Sequence, residues 1–320
     1  MAENEFYTLF KRHENNPIIR AKDIPYPVNS VFNAGATQRG DETLLLMRVE
    51  DRRGISHLTA ARSKNGIDDW RIDDKPTLEP DPENHPEELW GIEDPRITRI
   101  EEENLWALTY TGYSRGGPLV CLATTEDFKT FKRKGAVLPP ENKDAALFPV
   151  RFNGRWAMLH RPVPGAAEFG AHIWISFSPD MVHWGDHRLL IKARMGGWWD
   201  AGKIGLAAPP LLTGKGWLIL YHGVRTTASG CIYRLGLALL DAKDPTRLTA
   251  RSDEWVFAPE ATYELTGDVD KVVFPCGWVT DGDDIRIYYG GADKCLALAT
   301  ARISELLDWL NEHNQGEGDH

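Results

Sequence analysis

The chain has 320 residues, 42% hydrophobic and 26% charged, the make-up of a folded globular protein rather than a disordered or collagen-like one. Its formal net charge of −10, with no long basic block, excludes a nucleic-acid footprint. No run approaches the roughly twenty apolar residues of a membrane helix, so no membrane partner is expected.

The N-terminus MAENEFYTLFKRHENN shows no apolar core behind a basic start, which predicts a cytoplasmic protein. Residues 1–28 are irregular and are expected to form an N-terminal extension, available as a contact arm in a homo-oligomer. Beyond them one phrase recurs: a strand of small and β-branched residues, a Ser/Thr/Asp turn, then an aromatic. The copies are LTAARSKNGIDDW (Leu58 to Trp70), CLATTEDFKTF (Cys121 to Phe131) and IWISFSPDMVHW (Ile173 to Trp184), with looser ones at Leu235 to Leu248 and Leu296 to Leu310. Their starts lie roughly sixty residues apart, the mark of stacked supersecondary units. Between them run alternating strands, TLLLMRVE, WALTYTGY, WAMLHRP, WLILYHGV and IRIYYGGAD, several led by hairpin turns such as FNGRW and TGKGW. Only the last copy predicts a helix, Ser304 to Glu312, with Leu306, Leu307 and Leu310 as its apolar stripe behind a Ser cap. Residues 313–320 read as a disordered tail. Paired β-sandwich domains would supply as many strands but not a single period. The expected fold is therefore all-β: a five-bladed β-propeller over residues 29–312 with a short C-terminal helix.

Twelve Trp, nine Tyr and eleven Phe against five Met fit either sheet cores or platforms for sugar rings. Trp198 and Trp199, in the glycine-flanked GGWWDAGK, favour the platform. The four cysteines are widely spaced, without zinc-like spacing, and read as free thiols in a reducing compartment. His57, His172, His183 and His187 lack the i, i+4 spacing of a metal helix and read as hydrogen-bonded or surface groups. No metal or cofactor is expected. The acidic stretch Glu79 to Glu88 reads as a solvated loop.

Propeller ligands bind where strand ends of all blades converge on the channel mouth. Polar groups interrupt the apolar strands at recurring places: Asn33, Arg48, Asp94, Arg96, Tyr110, Arg161, Lys203, Tyr221, His222 and Asp293. Pro95 pushes Asp94 out of the helical region and predicts an extended backbone beneath its carboxylate. Glu93 is then expected on the opposite face, too far round to share a substrate bond, so a second catalytic carboxylate is not evident. Lys143, Arg161, Lys203 and His222 supply positive charge that, once buried, requires an anion. That anion is either a protein carboxylate or phosphate, which Arg and Lys together suit.

The ordered set VFNAGAT (31–37), LLLMRVEDRRG (44–54), GIEDPRI (91–97), ALFPV (146–150), HRP (160–162), KIGLAAPP (203–210), LYHGV (220–224), VVFPCG (272–277) and YYGGAD (288–293) resembles glycoside hydrolase family 130, the β-mannoside phosphorylases. The resemblance implies a five-bladed propeller and inverting cleavage of β-1,4- or β-1,2-linked mannosides. Inorganic phosphate would be the co-substrate and α-D-mannose 1-phosphate the product. It also implies Asp94 as the acid, acting through the mannosyl 3-hydroxyl. Lys143, Arg161 and Lys203, with Tyr221 and His222 beside them, would bind phosphate, and Asn33, Arg48, Arg96 and Asp293 would bind sugar. Relatives that hydrolyse mannosides have an eroded basic cluster, which this chain keeps. The competing expectations are a hydrolase of the same fold and a non-catalytic carbohydrate-binding propeller.

Overall fold

The computed structural model describes residues 9–163, 170–228 and 230–314. Five antiparallel sheets follow one another along the chain. Blade 1 contains Ser30–Arg39, Glu42–Glu50, Ser56–Ser63 and Arg71–Ile72, and blade 2 contains Ile92–Ile100, Leu105–Ser114, Gly117–Thr125 and Lys132–Leu138. Blade 3 contains Asn142–Phe152, Arg155–Pro162, Ile173–Ser178 and Gly185–Ile191. Blade 4 contains Lys203–Leu206 with the short Leu211–Thr213, then Gly216–Thr227, Gly230–Leu240 and Leu248–Arg251. Val273–Asp281, Asp284–Gly291 and Cys295–Arg302 open blade 5. The recurring phrase of the sequence is thus the third strand of each blade and the turn after it, so the five-bladed expectation holds.

Blade 5 is completed from the other end of the chain. Lys11–Arg12 and Ile19–Arg20 pair antiparallel with Cys295–Arg302, where the other blades have an outer strand of their own. Part of the expected N-terminal extension is therefore blade. The reason is that a third strand left bare would expose a row of unpaired backbone groups. Arg12 secures the closure with a bidentate pair to the fully buried Glu264, both contacts 2.8 Å. The helix spans Ile303–Glu312, with Leu306, Trp309 and Leu310 buried. Ser304 is not its cap: it lies in the first turn, where Asp283 accepts from both its backbone N–H and its hydroxyl.

Five apolar clusters lie between successive blades, for example Leu44, Leu58, Ile97 and Leu108 between blades 1 and 2, and Phe148, Trp217, Ile204 and Tyr221 between blades 3 and 4. Each such large side chain contributes roughly 1.5–3 kcal/mol by leaving water. The clusters hold the inner strands close round the channel: a Cβ on Gly277 would collide with the Ala36 backbone of blade 1. The acidic stretch is anchored rather than solvated at its end. Glu88 is fully buried and accepts from the Tyr110 hydroxyl at 2.7 Å and Arg133 Nε at 3.1 Å, which also takes Tyr110 away from the channel. Tail residues 315–320 lie outside the described residues.

Candidate active site

The inner strands begin at one face of the propeller, and there blades 1, 2 and 3 share a local device. Pairing with the second strand slips between Phe32 and Gly35, Glu93 and Arg96, and Lys143 and Ala146. At each slip one residue adopts a left-handed backbone: Asn33 (φ 45°), Asp94 (φ 51°) and Asp144 (φ 54°). Asn and Asp are the non-glycine residues that tolerate this region best. The expected extended backbone at Asp94 is thereby corrected. So is the separation of Glu93 from Asp94, because the bulge breaks strand alternation and one guanidinium reaches both. Arg48 Nη1 donates to Asp94 Oδ1 at 3.1 Å and Nη2 to Glu93 Oε1 at 3.0 Å, with Nε held by Ser56 Oγ.

Asp94 is buried, and Oδ1 also accepts from Asn33 Nδ2 at 2.9 Å. Among the described residues Oδ2 has no such donor, which leaves it for a ligand. Burial pushes the carboxyl up, but Arg48, the Asn33 hydrogen bond and the fields of Lys143 and Arg96 outweigh it and hold Asp94 below its ordinary range. Asp293, in the turn after the second strand of blade 5, behaves oppositely. Burial raises it to about 7, with Arg48 opposing and Asp94, Glu93 and Glu50 reinforcing.

Blades 3 and 4 bring the cations together, centred on a residue the sequence reading missed. Asp144 is buried, accepts from Arg161 Nε at 2.7 Å, and lies 3.5 Å from His222 Nε2 and 3.4 Å from Arg96 Nη2. Burial raises it, but Arg161, His222, Arg96 and Lys143 together hold it well below the usual carboxylate range. The available signal was its repeat position: N-A-G, D-P-R and D-A-A occupy the same bulge. Arg161 keeps both Nη groups free of protein partners among the described residues, and the ammonium groups of Lys143 and Lys203 make no ion pair there. Lys203 lies 5.5 Å from the centre of the Tyr233 ring. Burial and Arg161 lower its pKa, with Asp144 opposing. His222 packs on Phe274 at 4.7 Å. Burial, against Asp144, pushes His222 down to about 3, so the ring is neutral.

Four expected site residues are placed elsewhere or used differently. Tyr221 faces away from His222, as neighbours on a strand must, and its hydroxyl bonds Asp200 and Arg251 at 3.2 Å each in the interior. Tyr233, opposite Val224 on the His222 side of blade 4, takes its place beside Lys203. Trp199 is core, stacked on Tyr221 with its Nε1–H donated to the Asp253 carbonyl. Its indole fits because Gly223 and Gly236 carry no Cβ beneath it. Trp198 lies beside it over Arg194, on the same side of blade 4 and away from Asp94. Arg96 is fully buried and donates to the Ala207, Leu206 and Asp94 carbonyls at 2.7, 2.6 and 3.2 Å, so it braces blade 2 against blade 4 instead of presenting its head to sugar. The histidines set aside behave as expected, His57 bonding Tyr26, His183 Asp180 and His187 Ser176.

A buried acid with one free oxygen faces a cluster of cations, and buried Asn33 Oδ1 and His222 Nδ1 have no protein partner, all on one mouth of a five-bladed propeller. The same architecture is seen in the β-1,2-mannobiose phosphorylase from Listeria innocua, solved with β-1,2-mannobiose: TM-score 0.86, 32% identity, covering 95% of this chain and 99% of that one. Another similar structure, with TM-score 0.80 and 27% identity over 94% of this chain and 95% of its own, comes from work describing a GH130 family of mannoside phosphorylases that contains hydrolases targeting β-1,2 linkages in Candida mannan. The 1,2-β-oligomannan phosphorylase of Thermoanaerobacter sp. (strain X514) is 35% identical over 92% of this chain and 98% of its own length. The β-1,4-mannooligosaccharide phosphorylase of Ruminococcus albus is 35% identical over 95% and 91%. With residues 7–312 matching the family model described as beta-1,4-mannooligosaccharide phosphorylase, the chain belongs to glycoside hydrolase family 130.

Proposed function

We propose that the chain cleaves β-mannosides with inorganic phosphate, inverting the anomeric carbon and releasing α-D-mannose 1-phosphate. The observation that carries this is the uncompensated positive charge facing Asp94. Lys143, Arg161, Lys203 and Arg96 act on Asp144, two of them also on Asp94. Yet the ammonium groups of Lys143 and Lys203 and both Nη groups of Arg161 have no anionic partner of their own among the described residues, and a phosphate dianion supplies that negative charge. Phosphate contacts fall to Lys143, Arg161, Lys203, His222 and Tyr233, and sugar contacts to Asn33, Arg48 and Asp293. A ligand that completes Asn33 Oδ1 and His222 Nδ1 removes an unsatisfied-group cost of about 1–3 kcal/mol each.

In the reaction a phosphate oxygen bonds to C1 as the C1–O bond to the acceptor breaks. The bonding pair leaves on the acceptor oxygen, which takes a proton originating on Asp94 and relayed by the mannosyl 3-hydroxyl. Asp94 is ionised in the free protein, so it must gain that proton on ligand binding. An arriving phosphate cancels the Lys143 field and a sugar excludes water, and both changes raise proton affinity there. This reading places the enzyme in the cytoplasm, where phosphate is abundant, and allows a homo-oligomer.

The test is product analysis with β-1,2- and β-1,4-mannobiose, with and without phosphate. Mannose 1-phosphate formed only with phosphate is expected; equal release of free mannose without it would replace phosphorolysis by hydrolysis. Lys203→Ala should weaken phosphate use about ten- to a hundredfold, since a charge-assisted contact contributes roughly 1.5–3 kcal/mol. Arg161→Ala is a poorer probe because Arg161 also neutralises buried Asp144.

A further inference from the structure

The face of blade 4 opposite His222 carries a second groove. Arg234 pairs with Gly223, and Gly236 with Tyr221, so Arg225 and Arg234 rise on the side that Trp199 covers. With Trp198, the segment Asp253–Ala258 and one side of the C-terminal helix they enclose a cavity of about 1090 Å³, beyond the roughly 300–1,000 Å³ of a pocket for one small ligand. Four tryptophans line it, Trp198, Trp199, Trp255 and Trp309; Trp199 and Trp309 are buried, and the other two indoles each lie over a guanidinium. Arg194 is 4.5 Å from the Trp198 ring centre and Arg234 is 4.3 Å from that of Trp255. Trp255 is 46% exposed, a large apolar surface to leave in water. Arg234 Nε is buried within the described residues without a hydrogen-bond partner.

Charge decides among occupants. The lining holds three arginines, Arg12, Arg225 and Arg234, against six carboxylates, from Asp253, Glu254, Glu260, Glu305, Asp308 and Glu312. Such an acid-rich wall repels a phosphate-bearing ligand, and a second copy of a chain with net charge −10 is also disfavoured. A neutral oligosaccharide pays neither penalty. Its C–H faces stack on indoles, and its hydroxyls donate to carboxylates and accept from guanidinium N–H groups. We propose that this groove is a second, non-catalytic binding site for a β-linked manno-oligosaccharide of several units, with Trp198 and Trp255 as its platforms. The choice of mannose rests on the function proposed above; the class, a neutral oligosaccharide, does not.

The experiment uses full-length Asp94→Asn protein saturated with mannobiose, titrated calorimetrically with β-1,4- and β-1,2-linked mannohexaose, and with cellohexaose as comparison. One further mannohexaose site per chain is expected, weakened about tenfold by Trp255→Ala and also weakened by Arg234→Met. Trp255→Ala in the otherwise wild-type protein should phosphorolyse mannobiose within about twofold of the normal rate. Absence of the further site, or its persistence unchanged in both variants, overturns the proposal. So does a fall in light-scattering mass of Trp255→Ala with hexaose binding intact, which would make the groove a subunit contact. Cellohexaose binding there with mannohexaose ignored would overturn the mannose assignment. Failure of the proposed function shows separately, as a lack of mannobiose turnover.

Discussion

Asp94 and Asp293 show how one guanidinium divides two carboxyls. Arg48 bonds Asp94 directly and holds it ionised, while Asp293 receives only a distant share and is pushed up to about 7 by burial. Asp94→Asn keeps an oxygen for Asn33 and Arg48 but cannot donate an acidic proton. It should fold normally, by circular dichroism, and lose phosphorolysis by about a hundred- to ten-thousandfold; a variant keeping a tenth of the rate would remove Asp94 from the acid role. For Asp293 the sign follows from its raised pKa. The folded chain retains a proton that the unfolded chain has lost above the ordinary range near 3.8, so this group's stabilisation is complete in acid and is lost as pH rises through about 7. Asp293→Asn cannot ionise. Its melting temperature relative to wild type should therefore rise by a few degrees between pH 5 and pH 8, and a difference that does not change with pH would refute the assignment. That Asp94, Arg161, Lys203 and His222 gather at one site was legible in the sequence. That Tyr233 rather than Tyr221 stands beside them was not, because the strand pattern shows that neighbours alternate but not which side faces the cations.

At the scale of elements, the bulges and the closing strands matter most. Each bulge turns a strand residue into the channel, and the sequence signal is a short polar residue that accepts a left-handed backbone, not an interruption of hydrophobicity. Asp144 is inconspicuous in the sequence because its place in the cluster depends on Arg161 and His222, which come from other strands. The closing strands depend on Arg12 and Glu264. Arg12→Ala leaves a fully buried carboxylate without its bidentate partner and should destabilise by about 3–5 kcal/mol, read by denaturant unfolding. The double change Arg12→Met with Glu264→Leu should recover much of that loss, because no buried charge is then left alone. If the single variant costs under about 1 kcal/mol, the N-terminal strands are not what closes the fifth blade.

Over the whole molecule, the proposed phosphate site is an inter-blade object: Lys143 and Arg161 come from blade 3, Lys203 and His222 from blade 4. A ligand bound there ties blades together and stabilises the folded state by linkage, about 2.7 kcal/mol at a hundred times its dissociation constant. Phosphate should therefore raise the wild-type melting temperature by a few degrees, and Lys203→Ala should lose most of that rise. Sulfate at matched ionic strength controls for screening. An equal rise in wild type and variant would detach Lys203 from the phosphate site.

What the sequence by itself determined is everything that repeats or is local. The roughly sixty-residue period requires stacked blades, since one such unit cannot bury its own faces, and the ordered motifs carry the family. What only the tertiary structure decided is parity and partnership. Trp199 looks like a platform in GGWWDAGK, yet Gly223 and Gly236, far along the chain, make a cradle that takes it into the core. Arg96 looks like a sugar ligand, yet carbonyls of another blade consume its donors. Lys11–Arg12 looks like a loose arm, yet an unpaired strand edge at the far end of the chain requires it. In each case a long-range backbone approach sets the free energy, and no local pattern records which distant backbone will arrive.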